Sequence, residues 1–552
     1  MIRKSPETWA EAAIAGCCVA MLAGTYGRLL GAFFYADDLL SLWAVASTPL
    51  PAFFFSPERL RAMTTSFTPL QAVSYAVDWH LFGLKPLGSS IHNLVALVAA
   101  LGLLYLVVRR WFSRLVALAA VALVIANPVT LSVATWAGSR HYIEGLAWAL
   151  LALVLVRRAE GRTHAPWWAG AAALAACLDK EVFVALPAVS WLLITGPLQK
   201  RWRLTMPLWL AVAIYAPWRV WMMGGLGGYV DQAGFDVSTI VLLLKGVPQA
   251  LAVHWFPGAV WLVSLPLTLA AVGAGRSLWR GAVIVGLLAA PLLPIAARLP
   301  VATVENGRFV FHLTVVLLAA AVGALNRAGP MSPPWLRLAL GLGAAALAVL
   351  LVLENVDLCW RLVGQRRESS AEAAVFTSGT RAFVRARQPA YFYEGLRRLT
   401  ELSTGRRIAT ELVPLNEMLA YCDDTALRAF ESGGIAVPWH EVREARARQI
   451  VAAVKAVIVL DGYQVRWRFA ASPDTRFAVV VGPRSGVYFD RVEMPAQGRY
   501  AFGQDRPDGA PTALFVRVAE RLPDRREIVS PEVALTVPGK QTIDCSQARA
   551  KP

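Results

Sequence analysis

Charge is scarce in this chain. Asp, Glu, Lys and Arg make up 16% of its 552 residues, where soluble domains hold roughly a quarter. That shortage excludes an ordinary cytosolic enzyme. A hydrophobic share of 57% and a mean hydropathy of +0.50 exclude a disordered chain. Acidic residues are the scarcer kind, 37 against 54 basic, for a net charge of +17. The positives flank apolar blocks, where the positive-inside rule and anionic lipid headgroups account for them. No basic recognition helix appears, so nucleic acid is not an expected partner. The chain also lacks a Walker A loop, a CxxC pair, an HExxH helix and an internal repeat. No tight His/Asp spacing calls for a metal, and no cofactor is expected.

What the chain does have is apolar blocks of membrane-crossing length, about 20 residues for roughly 30 Å of hydrocarbon. The first runs over 12–34, too long for a signal-peptide core and without a clear cleavage site. Others cover 87–108, 115–133, 140–156, 166–178, 182–197, 204–222, 258–275, 281–298, 309–325 and 335–354. The expected fold class is therefore mainly α: a polytopic α-helical membrane bundle of about eleven transmembrane helices. A C-terminal extracytoplasmic α+β domain completes it. Basic residues follow every second block, at Arg109, Arg110 and Arg114, at Arg157, Arg158 and Arg162, and at Lys200, Arg201 and Arg203. This sets the N-terminus in the cytoplasm and the loops 35–86, 134–139, 179–181, 223–257 and 299–308 outside. Residues 238–256 are expected as a re-entrant or interface-lying helix, since counting them as a span would put Arg276 and Arg280 outside.

The domain expectation is 1–355 for the membrane bundle and 356–552 for the outer domain, helical over 366–450 and β-rich over 455–540. The strand candidates are KAVIVL, VRWRF, RFAVVV, GVYFDRV, RYAF, ALFVRVAE and VALTV. Cys422 and Cys545 fall in this domain, where an oxidising compartment would let them pair. Cys17, Cys18 and Cys177 lie inside apolar blocks and read as packing residues.

The outward loops hold the polar residues. Asp37-Asp38 follows the first block directly, and carboxylates beside a bilayer are functional candidates by default. The competing reading is an Asp pair at a helix end, either solvated or capping the next helix. Asp78-Trp79-His80, Phe82-Gly83-Leu84-Lys85-Pro86 and His92-Asn93-Leu94 come next. Trp136-Ala137-Gly138-Ser139-Arg140, Asp179-Lys180-Glu181 and Glu305-Asn306-Gly307-Arg308 follow in later loops. These polar clusters on one side of a bundle point to one shared cavity. Glu144 stands four residues after Arg140, the spacing of a helical ion pair.

These motifs resemble the GT-C glycosyltransferase superfamily, which includes protein O-mannosyltransferases and the aminoarabinose transferases of lipid A. The residues carrying the resemblance are the early Asp37-Asp38 pair, the Pro69-Leu70 to His92-Asn93-Leu94 run, the Trp136 to Arg140 helix start, Lys180-Glu181 and Arg308. It covers about residues 1–355, and the C-terminal domain lies outside it. Thr68 departs from the pattern, since related chains often carry Arg before the Pro-Leu pair. The resemblance implies an integral membrane enzyme that takes a sugar from a polyprenyl-phosphate carrier on the outer side, and the Ala/Arg/Leu-rich composition points to a bacterial inner membrane. The resemblance also implies that Asp37 or Asp38 is the catalytic carboxylate.

The residue types suit that chemistry. An acceptor hydroxyl needs a base within hydrogen-bond reach, which a carboxylate supplies. A departing lipid phosphate needs fixed cations, for which Arg140, Lys180 and Arg308 are the candidates. Asp78, His92, Glu181 and Glu305 are candidates for touching substrate or supporting those groups. Arg140 and Arg308 read equally well as anchors that reach lipid headgroups. The competing functions are a transporter or lipid-carrier flippase, and a non-catalytic membrane scaffold. Transporters usually place polar groups at mid-membrane on broken, repeated helices. A scaffold would leave Asp37 and Asp38 dispensable.

Overall fold

The computed structural model describes residues 6–63, 66–225, 237–255, 278–298, 305–331, 334–377, 382–384 and 390–405. Beyond these it describes the strand segments between 428 and 544. Cys422, Cys545 and the expected span 258–275 lie outside the described residues. The chain divides into two compact units. The first holds 1–32, 49–57 and 65–363, the second 33–48, 58–64 and 364–552.

The first unit is helical. Its elements include α1 (Pro6–Met21), α5 (Pro69–Phe82), α6 (Pro86–Val108), α7 (Arg114–Ala126), α8 (Pro128–Ala134) and α9 (Arg140–Arg158). They continue with α10 (Trp167–Asp179), α11 (Leu186–Leu193), α12 (Leu198–Met223) and α13 (Val237–Trp255). Then come α14 (Leu278–Ala289), α15 (Phe311–Met331) and the long α16 (Pro334–Thr377). Proline opens α5, α6 and α8, where its missing N–H costs nothing. Among the described residues, three helices are long and apolar enough to cross a membrane: Glu7–Leu29, Pro86–Val108 and Ala137–Arg158. The α7–α8 pair adds a fourth if it counts as one span bent by 68°. Of the region 238–256, set apart in the sequence as re-entrant or interface-lying, the described residues 238–255 lie in the continuous helix α13, with Pro248 inside it.

The α7–α8 bend interrupts the expected span 115–133, and its cause is local. Pro128 has no N–H to donate, and Asn127 turns its side chain to cap α8, accepting from the Val129 N–H at 2.9 Å. The Ile125 carbonyl at the break accepts from the Tyr26 hydroxyl at 3.0 Å and from Asn355 Nδ2 at 3.2 Å. Asn355 Nδ2 also reaches the Asn127 carbonyl at 3.3 Å. Polar groups from two other helices thus satisfy what the break exposes, as an apolar interior demands.

The boundary expected at 355/356 falls inside α16. The helix keeps a buried apolar face past that point, formed by Leu358, Cys359 and Leu362, and the compact units part at 363/364 instead. The second unit also takes part of the first outward loop: α2 (Asp38–Ser47) lies in it and packs with α17 (Ala390–Thr404). The fit is close. A Cβ on Gly395 of α17 would come within 2.7 Å of the Leu39 backbone carbonyl carbon.

The stretch 366–450, expected helical, is mixed. It holds the end of α16, then α17, and also β1 (Ala382–Val384), β2 (Arg428–Phe430) and β3 (Ala436–Pro438), which form a three-stranded sheet. Strands three residues long are too short to show an alternating pattern in the sequence. The β-rich part follows the sequence pattern. β4 (Gln449–Val451), β7 (Arg476–Gly482), β8 (Asp490–Met494), β10 (Thr512–Arg521), β11 (Glu527–Val529) and β12 (Val533–Val537) form a six-stranded sheet. β5 (Ala456–Gly462), β6 (Gln464–Phe469), β9 (Gln497–Ala501) and β13 (Gly539–Asp544) form a four-stranded one in the order β13-β5-β6-β9. Ala456, Ile458 and Leu460 are buried while Val457 between them is exposed, the period of two that the sequence shows.

Candidate functional site

Three of the candidate residues meet where α5, α6 and α9 converge. Gly83, with φ +58, ends α5, and Pro86 starts α6. On α6, Ser89, His92 and Asn93 fall on one face by their spacing of three and four. Arg140 enters from the first position of α9. It is 1% exposed and Asp78 is 2% exposed. Arg140 Nη2 lies 2.5 Å from Asp78 Oδ2 and donates to Ser89 Oγ at 2.8 Å. Nη1 donates to Ser74 Oγ at 2.9 Å, and Nε donates to Asn93 Oδ1. The Asp78 carboxylate also accepts from Ser89 Oγ and pairs with His92 Nδ1 at 2.7 Å. Burial alone would raise the Asp78 carboxyl. The His92 hydrogen bond, the Arg140 charge and the bonds from Arg140 and Ser89 outweigh burial and hold it below the ordinary carboxylate value.

Glu144 does not take the i,i+4 pairing with Arg140 that its spacing allows. It accepts from Ser74 Oγ at 2.9 Å and sits 3.3 Å from His92 Nε2. Arg140 points instead at the carboxylate on α5, where its planar fork finds several acceptors at once. The guanidinium is spent on this network, and its geometry is that of a group holding three helices together.

A second cluster forms in the 179–181 loop. Lys180 Nζ sits 3.2 Å from Glu181 Oε1 and 5.2 Å from the Tyr142 ring. Arg219 of α12 lies 3.6 Å from Glu181 Oε2 and donates to the Tyr215 hydroxyl at 3.3 Å. Burial pushes the Glu181 carboxyl up, but Lys180 and Arg219 bring it down to about 2. Asp179 behaves oppositely: burial and the nearby Glu144 charge raise it well above the usual range. Both of its oxygens are buried without a hydrogen-bond partner among the described residues. Tyr142 meets Phe309 edge-on at 6.5 Å. The Arg308 guanidinium lies 5.0 Å from the Phe309 ring and 4.3 Å from Trp136. Lys180 and Arg308 thus flank one aromatic pair. Arg219 went unremarked in the sequence. Its signal was there, since an arginine inside an apolar block is costly and marks a paired or functional charge.

Asp37 and Asp38 belong to the second unit. The Tyr35 N–H donates to Asp38 Oδ2 at 3.0 Å, and the Asp38 N–H returns to the Tyr35 carbonyl at 3.1 Å. Asp38 is 2% exposed and locks a tight turn ahead of α2. Inside that turn Ala36 has φ +47, the one positive value at a non-glycine among the described residues. Such strain persists only where the surroundings impose it. Asp37 takes the cap position of α2, but its side chain makes no capping hydrogen bond. The capping reading therefore does not describe Asp37. The Arg366 guanidinium, from the distal part of α16, lies 4.3 Å over the Tyr35 ring of this turn, and Arg366 is 3% exposed. The sequence left it within an Arg-rich helical stretch. Glu305 begins a short 3-10 helix, Glu305–Val310. Among the described residues no group of three or more His, Cys, Asp and Glu side chains is placed to hold a metal ion.

No protein-family model and no curated protein matches the chain. Among solved structures it is similar to ArnT from Cupriavidus metallidurans bound to undecaprenyl phosphate. That match has 14% identity and a TM-score of 0.44, covering 74% of this chain and 90% of that one. It is similar to the same protein in the apo state, at 14% identity and a TM-score of 0.43, covering 72% and 89%. A third match is the Archaeoglobus fulgidus oligosaccharyltransferase in complex with zinc and sulfate, at 13% identity and a TM-score of 0.40, covering 70% and 61%.

Proposed function

We propose that the chain is a membrane glycosyltransferase that moves a sugar from a polyprenyl-phosphate carrier to an extracytoplasmic acceptor. The reaction is a single displacement. The acceptor oxygen bonds to the anomeric carbon as the bond from that carbon to the phosphate oxygen breaks, which inverts the configuration. The acceptor proton passes to a carboxylate, and the lipid phosphate leaves with its charge.

The observation that carries the reading is the Tyr35–Asp38 turn. It holds Asp37 at the cap position of α2, next to a strained alanine. Asp37 is the base in this reading, and buried Asp38 fixes the turn. Lys180 and Arg308 are assigned to the departing phosphate. Both are cations set against aromatic rings, where reduced solvation strengthens their pull on a developing charge. Arg140, Asp78 and His92 position rather than contact. Their polar atoms are turned on one another.

The test compares envelope glycolipids and glycans by mass spectrometry in cells carrying wild type, Asp37→Asn or Asp38→Asn at equal membrane abundance. The expected result is that one sugar addition falls by about 100-fold or more with Asp37→Asn, in line with the loss of a general base. The missing mass names the sugar. Unchanged profiles in both variants, with an altered profile on deletion of the whole gene, would overturn the assignment.

A further inference from the structure

A cavity of about 400 Å³ lies between α6, α9 and α11, beside the arginines that follow α6 and end α9. The positive-inside rule puts these ends in the cytoplasm, away from the outward loops that carry Asp78 and Lys180. None of its residues enters the glycosyl-transfer reading.

One wall is apolar, formed by Leu106, Leu153, Leu193 and Ile194. The other carries Arg110, Arg157 and Arg158 against a single carboxylate, Glu160. Arg157 is held in place: Nη1 lies 2.5 Å from Glu160 Oε1, Nη2 donates to the Leu193 carbonyl at 3.1 Å, and the guanidinium sits 4.7 Å over Trp111. That pairing uses the carboxylate. Arg110, 3.9 Å from Glu160 and 60% exposed, and the exposed Arg158 leave the rim net positive. Ser190 also lines the cavity. It is 1% exposed, and its Oγ has no hydrogen-bond partner among the described residues. A buried hydroxyl without a partner is costly and marks where a ligand's polar atom fits.

We propose that this cavity binds an anionic phospholipid of the cytoplasmic leaflet. The phosphate sits on Arg110 and Arg158, a glycerol or ester oxygen meets Ser190 Oγ, and the acyl chains follow the apolar wall. Each part of the cavity speaks for this occupant. Free phosphate has no use for an apolar wall. A zwitterionic lipid brings an ammonium group to a positive rim. Basic pockets between helices on the cytoplasmic side are suited to anionic headgroups, and a tryptophan at the rim is an interfacial residue. The leaflet rests on the sidedness read from the basic loops.

The experiment is native mass spectrometry of the full-length protein in neutral detergent. The probes are phosphatidylglycerol, phosphatidylethanolamine and inorganic phosphate. Wild type is expected to retain phosphatidylglycerol about 25-fold better than phosphatidylethanolamine, each of the two rim arginines being worth about five-fold. The Arg110→Gln, Arg158→Gln double variant should drop to the phosphatidylethanolamine level while its thermal transition without lipid stays at the wild-type value. Ser190→Val, which fills the polar corner without touching the charges, should weaken retention on its own, and it tests the site should the double variant fail to fold. Equal retention of the two lipids by wild type, retention unchanged in every variant, or displacement of phosphatidylglycerol by equimolar inorganic phosphate would overturn the proposal.

Discussion

Arg140 and Asp78 form a buried pair, 1% and 2% exposed, and removing one partner strands the other. Arg140→Gln or Asp78→Asn is therefore expected to cost about 3–5 kcal/mol. The check is the detergent-solubilised thermal transition, together with membrane abundance. Glu181 gives a pH signature. Its carboxyl lies at about 2 in the folded protein against an ordinary 4.5. Its stabilising contribution is complete above pH 4.5 and is lost as pH falls through about 2. Glu181→Gln should flatten the loss of stability below pH 4.5, read from melts at stepped pH. Asp78, Arg140, Lys180 and Glu181 were all legible in the sequence as polar groups near apolar blocks. Their partners were not. The spacing of Arg140 and Glu144 offered a helical ion pair, while the structure gives Arg140 to Asp78, 62 residues away. Sequence spacing ranks only contacts made within one element.

Glycine at helix contacts decides the packing of elements. Gly395 lets α17 lie against the backbone of α2, just past Asp37 and Asp38, where a Cβ would come within 2.7 Å of Leu39. Gly395→Ala must push backbone aside, at about 1–3 kcal/mol for overpacking. Sugar transfer in the glycan assay should fall, because the turn that holds Asp37 moves with α2. The strands β5, β6, β7, β10 and β12 were legible because a period of two shows within five residues. The α7–α8 break was half legible. Asn127-Pro128 announces a stop, but the side chains of Tyr26 and Asn355 that make the break tolerable come from elsewhere in the chain.

At the scale of the whole molecule, the two units do not follow chain order. Residues 33–48 and 58–64 belong with 364–552, held by Phe33 against Phe392 at 6.3 Å and by Arg398 over Trp43 at 4.3 Å. A chain ending at residue 363 should reach the membrane yet lose sugar transfer. Its 33–48 segment should become more sensitive to protease, as measured by limited proteolysis of membrane vesicles. A chain that kept full transfer would contradict the role given to that turn.

By itself the sequence determined the membrane class, the apolar blocks, the strand pattern and the shortlist of charged residues. These depend on hydrophobicity, periodicity and the cost of burying charge, which act locally along the chain. Tertiary structure alone decided which charges pair, that Asp37 does not cap α2, that Arg366 lies over Tyr35, and that the first outward loop packs with the C-terminal residues. Those outcomes depend on which distant groups satisfy one another once water is excluded, and no local pattern encodes the distance between residues 39 and 395.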